Sequence, residues 1–275
     1  MSILGMLGNR PAPSSGGGPT PPASTVIWSV DFSTVGDHDF NTDGTTLALS
    51  GVTFTAKDVA NSSQFEVDGG LLKINPNSSI GHAGGYDNAP EISASWADLM
   101  TAGAASGSFD PAKTYVWRCI FNTAITPVGT GGPICGIATD VAVPNKDLSH
   151  QANGGGWRFN KGGSTGSSYT DVYSRTSTGV PGSFRNMAVV YGQGTFAALA
   201  SSTDTNAGEA FGGVPIWAGY IGPPATNSVG YFYLSGSPYF DLTAVGAKAY
   251  VGAWHWGSAS MGVIEIASIE LHEVG

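Results

Sequence analysis

The chain has 275 residues, 41 of them glycine, carries a formal charge of −9, and is only 11% charged against a usual share of about 25%. Lys and Arg occur singly, as at Lys57, Lys73 and Arg118, so no cationic cluster exists to neutralise phosphates and a nucleic-acid partner is excluded. No segment reaches ~18 consecutive apolar residues, so no membrane-spanning helix is expected. A hydrophobic content of 41% argues against disorder and for a folded chain whose turns are built from Gly, Ser, Asn and Thr.

Residues 1–10 form a short apolar peptide in which Ile3, Leu4, Met6 and Leu7 make one stripe over a helical turn or two. Such a peptide is too short to hold a helix alone; it would order only by docking into a partner's groove, and the competing reading is an ordinary frayed chain end. The peptide lacks the layout of a secretory signal, because Arg10 follows the apolar patch instead of preceding it. Residues 11–24, PAPSSGGGPTPPAS, form a tether: its prolines favour polyproline II and Gly16 to Gly18 make a joint. Fully extended, the tether reaches roughly 40 Å. The expected organisation is an anchoring peptide (1–10), a linker (11–24) and one large β domain (25–275), with the first two forming an extended N-terminal arm.

Period-two alternation of apolar residues recurs through that domain. Val26 to Phe32 opens it. In Thr45 to Ala56, Leu47 and Leu49 alternate, Gly51 interrupts, and Val52 and Phe54 resume. Phe65 and Val67 precede Asp68-Gly69-Gly70, and Leu72 and Ile74 follow, a hairpin signal because such turns need positive φ. Ser95 caps the one short helix expected, running to Ala102. Tyr115, Trp117, Cys119 and Phe121 share one strand face, and Val116, Arg118 and Ile120 the other. Phe184 to Tyr191 and Thr195 to Ala200 flank Gly192-Gln193-Gly194 as a second hairpin. Val229 to Leu234, Lys248 to Trp256 and Val263 to Glu273 complete the set. In the last of these, Ile264 and Ile266 alternate on even positions and Ile269 and Leu271 on odd ones, which predicts a β-bulge near Ala267-Ser268. Gly81 to Pro90, Ala142 to Gly156 and Ser201 to Pro224 read as long loops. The count is about twelve to fourteen strands, which suits an all-β, two-sheet antiparallel sandwich.

The opening WSVDFST, the paired segments of MAVVYGQGTFAALASS and the closing IASIELHEV resemble concanavalin A-like and laminin-G-like jelly rolls. The resemblance covers residues 25–275. Domains of that group occur in virion proteins of tailed bacteriophages, and the tethered layout resembles a head-decoration, head-fibre or tail-associated protein. The resemblance implies a virion-surface location, other virion proteins as partners and a homo-oligomer.

Chemical motifs are few. Asp39, Asn41 and Asp43 spell D-x-N-x-D-G with Gly44, a spacing that gathers oxygen donors as a calcium loop does, and Asp37 could join them. Ser50 stands where the full loop wants a bidentate acid, and an Asp-Gly turn between strands is the competing reading. No other cofactor is expected. Trp254 and Trp256 share a strand face with Tyr250; exposed, they would form a platform for sugar rings, and buried they are core. Trp157 and Trp217 lie in stretches that could expose them to a surface glycan. A hydrolase would need two carboxylates facing across a cleft. No E-x-D-x-x-E strand is present, and Glu265, Glu270 and Glu273 read as solvated charges. The five histidines lack zinc-ligand spacing. Cys119 and Cys135 read as two buried thiols, with a single bridge between them as the alternative. The sequence therefore points first to a non-enzymatic virion structural protein, second to a carbohydrate-binding, host-receptor module of a tail fibre, and third to a polysaccharide-degrading enzyme.

Overall fold

The computed structural model describes residues 24–40, 42–57, 65–75, 91–103, 110, 113–125, 131–138, 154–159, 166–170, 173–176, 184–192, 195–201, 229–235, 247–255 and 262–274, and between 154 and 235 it describes the course of the backbone. The apolar peptide and nearly all of the linker lie outside these residues. Seventeen strands are found among the described residues. They are β1 (Ser24–Asp31), β2 (His38–Asp39), β3 (Thr46–Leu49), β4 (Val52–Lys57), β5 (Phe65–Asp68), β6 (Leu71–Ile74), β7 (Glu91–Ser95), β8 (Thr114–Ile125), β9 (Gly131–Ala138), β10 (Gly154–Phe159), β11 (Gly166–Thr170), β12 (Tyr173–Thr176), β13 (Phe184–Gly192), β14 (Thr195–Ser201), β15 (Val229–Ser235), β16 (Lys248–His255) and β17 (Ile264–Val274). One helix, α1 (Trp96–Gly103), follows β7.

The strands form two antiparallel sheets. The first runs β15-β14-β13-β8-β17-β6-β5-β2, with β1 also on β17, and the second runs β12-β11-β10-β9-β16-β7-β4-β3. Consecutive strands repeatedly change sheet, as from β6 to β7, β8 to β9 and β16 to β17. That interleaving makes the all-β sandwich a jelly roll, as expected. The first and last strands pair from Ser24 opposite Val274 to Asp31 opposite Ser268.

Alternation explains the core. On β4, Val52, Phe54 and Ala56 are buried while Thr53 and Thr55 are exposed. On β8, Tyr115, Trp117, Cys119 and Phe121 are buried, and β16 contributes Ala249, Val251 and Ala253 from the opposite sheet. Trp28 stacks on Phe54 at 5.5 Å and on Trp117 at 6.0 Å, joining both sheets in one aromatic column. Buried indoles need acceptors. Trp117 Nε1 donates to the Tyr250 carbonyl and Trp28 Nε1 to the Ser50 carbonyl, each at 3.2 Å. Both cysteines are buried and free, and burial pushes both thiols up.

Several local expectations are met. Gly69 and Gly70 have φ of 60° and 79°, which closes the β5–β6 hairpin. The interruption at Gly51 is itself a tight hairpin turn, with Ser50 at φ 47° and Gly51 at 81°. On β17 the register against β8 slips between Ile266 and Ser268, so Ile264, Ile266, Ile269 and Leu271 all reach the core despite their change of parity. Helix α1 buries Trp96, Leu99 and Met100, one stripe at helical spacing, and Ser95 Oγ accepts from the Asp98 amide at 3.4 Å.

Other expectations need correction. The opening strand stops at Asp31, whose carboxylate accepts from the Ser33 amide and starts a 3₁₀ turn at Phe32. Strand β16 is described from Lys248 to His255, and Trp256 lies outside the described residues. The stretch read as a loop to Gly156 already contains the start of β10. Glu265, Glu270 and Glu273 are not simple solvated charges. The bulge brings Glu265 and Glu270 to one face of β17, where Asn122 Nδ2 donates to Glu265 at 2.8 Å and Arg118 Nη1 to Glu270 at 3.2 Å. Glu273 pairs with Lys113.

Candidate functional site

Two polar constellations stand on the outer faces of the sandwich. On the first sheet, Arg118 of β8 lies directly opposite Glu270 of β17. His272 Nε2 sits 2.8 Å from the same Glu270 Oε2. Arg118 and His272 are each 1% exposed. Burial raises the pKa of Glu270, but the hydrogen bond from His272 and the charge of Arg118 outweigh it and hold the carboxyl below its ordinary value. A general acid needs the opposite shift. This cluster therefore neutralises itself and ties β8 to β17.

The second constellation is a groove. On the outer face of the second sheet a concavity of about 470 Å³ runs across β4, β7 and the start of β16. Its floor follows from the same alternation that builds the core, since the positions between Val52, Phe54 and Ala56 must face outward. Thr53, Thr55 and Lys57 therefore line it from β4, and Ser93 and Ser95 from β7. Register fixes the grid. Thr55 lies opposite Ser93 and Lys57 opposite Glu91 on one side. On the other side, Ser95 lies opposite Lys248 and Ser93 opposite Tyr250. Asp43 and Gly44 form one rim from the turn before β3, and Asp98 forms another from the first turn of α1. That rim is held in place because the Trp96 amide donates to the Ala247 carbonyl at 2.8 Å. Thr53 and Thr55 are exposed, whereas Ser93, Glu91 and Tyr250 are buried. The groove thus offers hydroxyls that both donate and accept, with charges of both signs at its margins.

The predicted site residues distribute unevenly. Asp43 lines the groove. Asp37 Oδ1 accepts from the Gly69 amide at 3.2 Å, and Asp39 lies on β2 opposite Glu66, so both belong to the first sheet's corner. Asn41 lies outside the described residues. Among the described residues no group of three or more His, Cys, Asp or Glu side chains could hold a metal ion. Trp254 stands on β16 opposite Gly132, at the parity of Tyr250 and Lys248, and Trp157 stands on β10 opposite Cys135. Trp217, Trp256, Ile3, Leu4, Met6 and Leu7 lie outside the described residues. Sequence reasoning did not single out Thr53, Thr55, Ser93 or Lys248, and it gave Ser95 only the role of a helix cap. For Thr53 and Thr55 the signal was available as the polar half of the β4 alternation.

No protein-family model matches the chain, and no curated protein matches its sequence. Among solved structures, the chain is similar to the CBM2 module of the evolved Dit of Lactobacillus casei BL23 phage J-1, at 9% identity and a TM-score of 0.42, covering 92% of this chain and 97% of that one. It is similar to the metal-free lectin I-B4 of Griffonia simplicifolia, at 10% identity and a TM-score of 0.44, covering 90% and 99%. It is also similar to an endo-1,3-beta-glucanase of Streptomyces sioyaensis, at 10% identity and a TM-score of 0.42, covering 97% and 99%. At these identities and scores the likeness carries nothing about binding or activity.

Proposed function

We propose that this chain is a non-enzymatic β-sandwich displayed on a virion surface, and that the groove across β4, β7 and β16 holds a glycan. The observation that carries the reading is the groove itself: hydroxyl side chains on two neighbouring strands, open to solvent at Thr53 and Thr55 and flanked by charges of both signs. Sugar hydroxyls are donors and acceptors at once, and a rigid sheet spaces complementary groups without an ordering cost on binding. The self-neutralised state of Glu270 supports the non-enzymatic part, because that carboxylate is poorly suited to proton transfer. The test is a glycan array probed with the full chain. Selective retention of a saccharide is expected; no retention on any array, across host-surface and neutral polysaccharides, would remove the reading.

A second reading, a purely structural decoration protein, is favoured by the apolar peptide and Pro/Gly tether of residues 1–24. Here the N-terminal peptide buries Ile3, Leu4, Met6 and Leu7 on a neighbouring subunit, each worth about 1.5–3 kcal/mol before ordering costs. Deleting residues 1–23 keeps β1 whole, so the domain should fold and fail to incorporate into particles. Normal incorporation would contradict the anchor.

A further inference from the structure

Resting on the glycan reading, we infer that the groove takes an uncharged saccharide, held through hydroxyl-to-hydroxyl hydrogen bonds, and rejects polyanionic glycans. The charges at the groove are balanced locally. Its described lining carries Lys57 and Lys248 against Asp43 and Asp98. Lys57 faces Glu91 directly across the β4–β7 ladder, and Glu91 is 1% exposed. Directly opposite charges on neighbouring strands interact favourably. Lys248 faces Ser95, the residue whose hydroxyl caps the helix turn that bears Asp98. An incoming acid group would have to compete with these carboxylates for the lysines and lose its own hydration, and such exchanges roughly break even at best.

The long-range field points the same way. The chain carries a formal charge of −9, which slows the approach of a polyanion at low salt. What remains for recognition is the uncharged pair Thr53 and Thr55, both exposed, with the half-buried Ser95 beside them and Ser93 buried beneath. Each hydroxyl supplies one donor and two acceptor lone pairs, which suits a ligand that is itself a lattice of hydroxyls.

The experiment uses the full chain against neutral polysaccharides (a glucan, a mannan, a galactan) and acidic ones (alginate, hyaluronan, teichoic acid), at about 50 and about 500 mM salt, a range over which exposed charge interactions are screened. A neutral glycan should bind with less than about a twofold change in Kd across that range. Thr55→Ala should weaken binding about 3- to 10-fold, the usual worth of one hydrogen bond. Thr55→Arg should abolish it, and both variants should keep the parent melting temperature because Thr55 is exposed. Retention of acidic glycans alone, falling steeply with salt, would overturn the inference and leave a sugar-binding groove standing. Neutral binding indifferent to Thr55→Arg would overturn it by moving the ligand elsewhere. Absence of any glycan binding would remove the inference together with the reading beneath it.

Discussion

Gly103 closes α1 against the backbone of β1. A Cβ there would stand 2.1 Å from the Ile27 carbonyl oxygen and 2.6 Å from its carbon, contacts that no rotamer can relieve because both partners are main chain. Gly103→Ala therefore forces the helix end off the sheet, costing about 3 kcal/mol by analogy with overpacked cores. For a domain of this size the melting temperature should fall about 6–9 °C in a thermal scan; an unchanged value would mean the helix end has room. Nothing in ADLMTAG announces this. The helix itself was legible, from Ser95 and the Trp96, Leu99, Met100 spacing, but the approach of Ile27 depends on a contact far along the chain. Glu270 teaches the same lesson. Its partner Arg118 lies 152 residues away in sequence, so only the assembled sheet shows that the carboxylate is engaged.

That engagement sets a pH dependence. The folded pKa of Glu270 lies below its ordinary 4.5. A depressed carboxyl contributes stability that is present above the unfolded pKa and is lost as pH falls through the folded one. Melting temperature measured from about pH 6 down to about pH 3 should therefore fall less steeply for Glu270→Gln than for the parent. The variant should also melt lower near neutrality, because Arg118 and His272 lose the negative charge they share. Parallel profiles for the two proteins would show that Glu270 titrates as an ordinary surface acid.

At the scale of elements, the bulge on β17 matters most. Strand parity is fixed at two, so one extra residue is the only way for Ile264 and Ile266 to face the core together with Ile269 and Leu271. Deleting Ala267 would remove that residue. The β17 segment beyond it would then turn Ile269 and Leu271 outward and drive Glu270 and His272 into the core. Burying both a carboxylate and an imidazole without partners is not tolerated, so the deletion variant should be insoluble or molten, with near-UV circular dichroism lost. A well-dispersed native spectrum would refute the bulge. This element was legible because four isoleucine and leucine positions record the parity change. β7 was not. Glu91-Ile-Ser-Ala-Ser95 has one strongly apolar residue, and only its neighbours β4 and β16 define it as a strand. The Gly-rich β9 and β10 were hidden for a similar reason: Gly131-Gly132 and Gly154-Gly155-Gly156 carry no side chains to alternate.

At the scale of the molecule, the two outer faces differ in kind. The first sheet closes its polar residues into a cluster around Glu270, while the second leaves a groove with Thr53 and Thr55 exposed. The sandwich could be read from alternation, since period two encodes which residues face inward. The working face could not, because the groove is made where β4, β7 and β16 become neighbours, and these strands are separated by long stretches of chain. The division of labour between the faces predicts an asymmetry under substitution. Thr55→Arg places a long cation in the groove, and Asn122→Arg places the same side chain at an exposed position of the first sheet. Both should fold. The most direct measurement is the glycan affinity of these two variants beside the parent, on whichever saccharide the parent retains. Loss with Thr55→Arg and parent-like binding with Asn122→Arg is the expected result; the reverse pattern, or equal binding by both, would contradict the assignment of the second sheet as the recognition face.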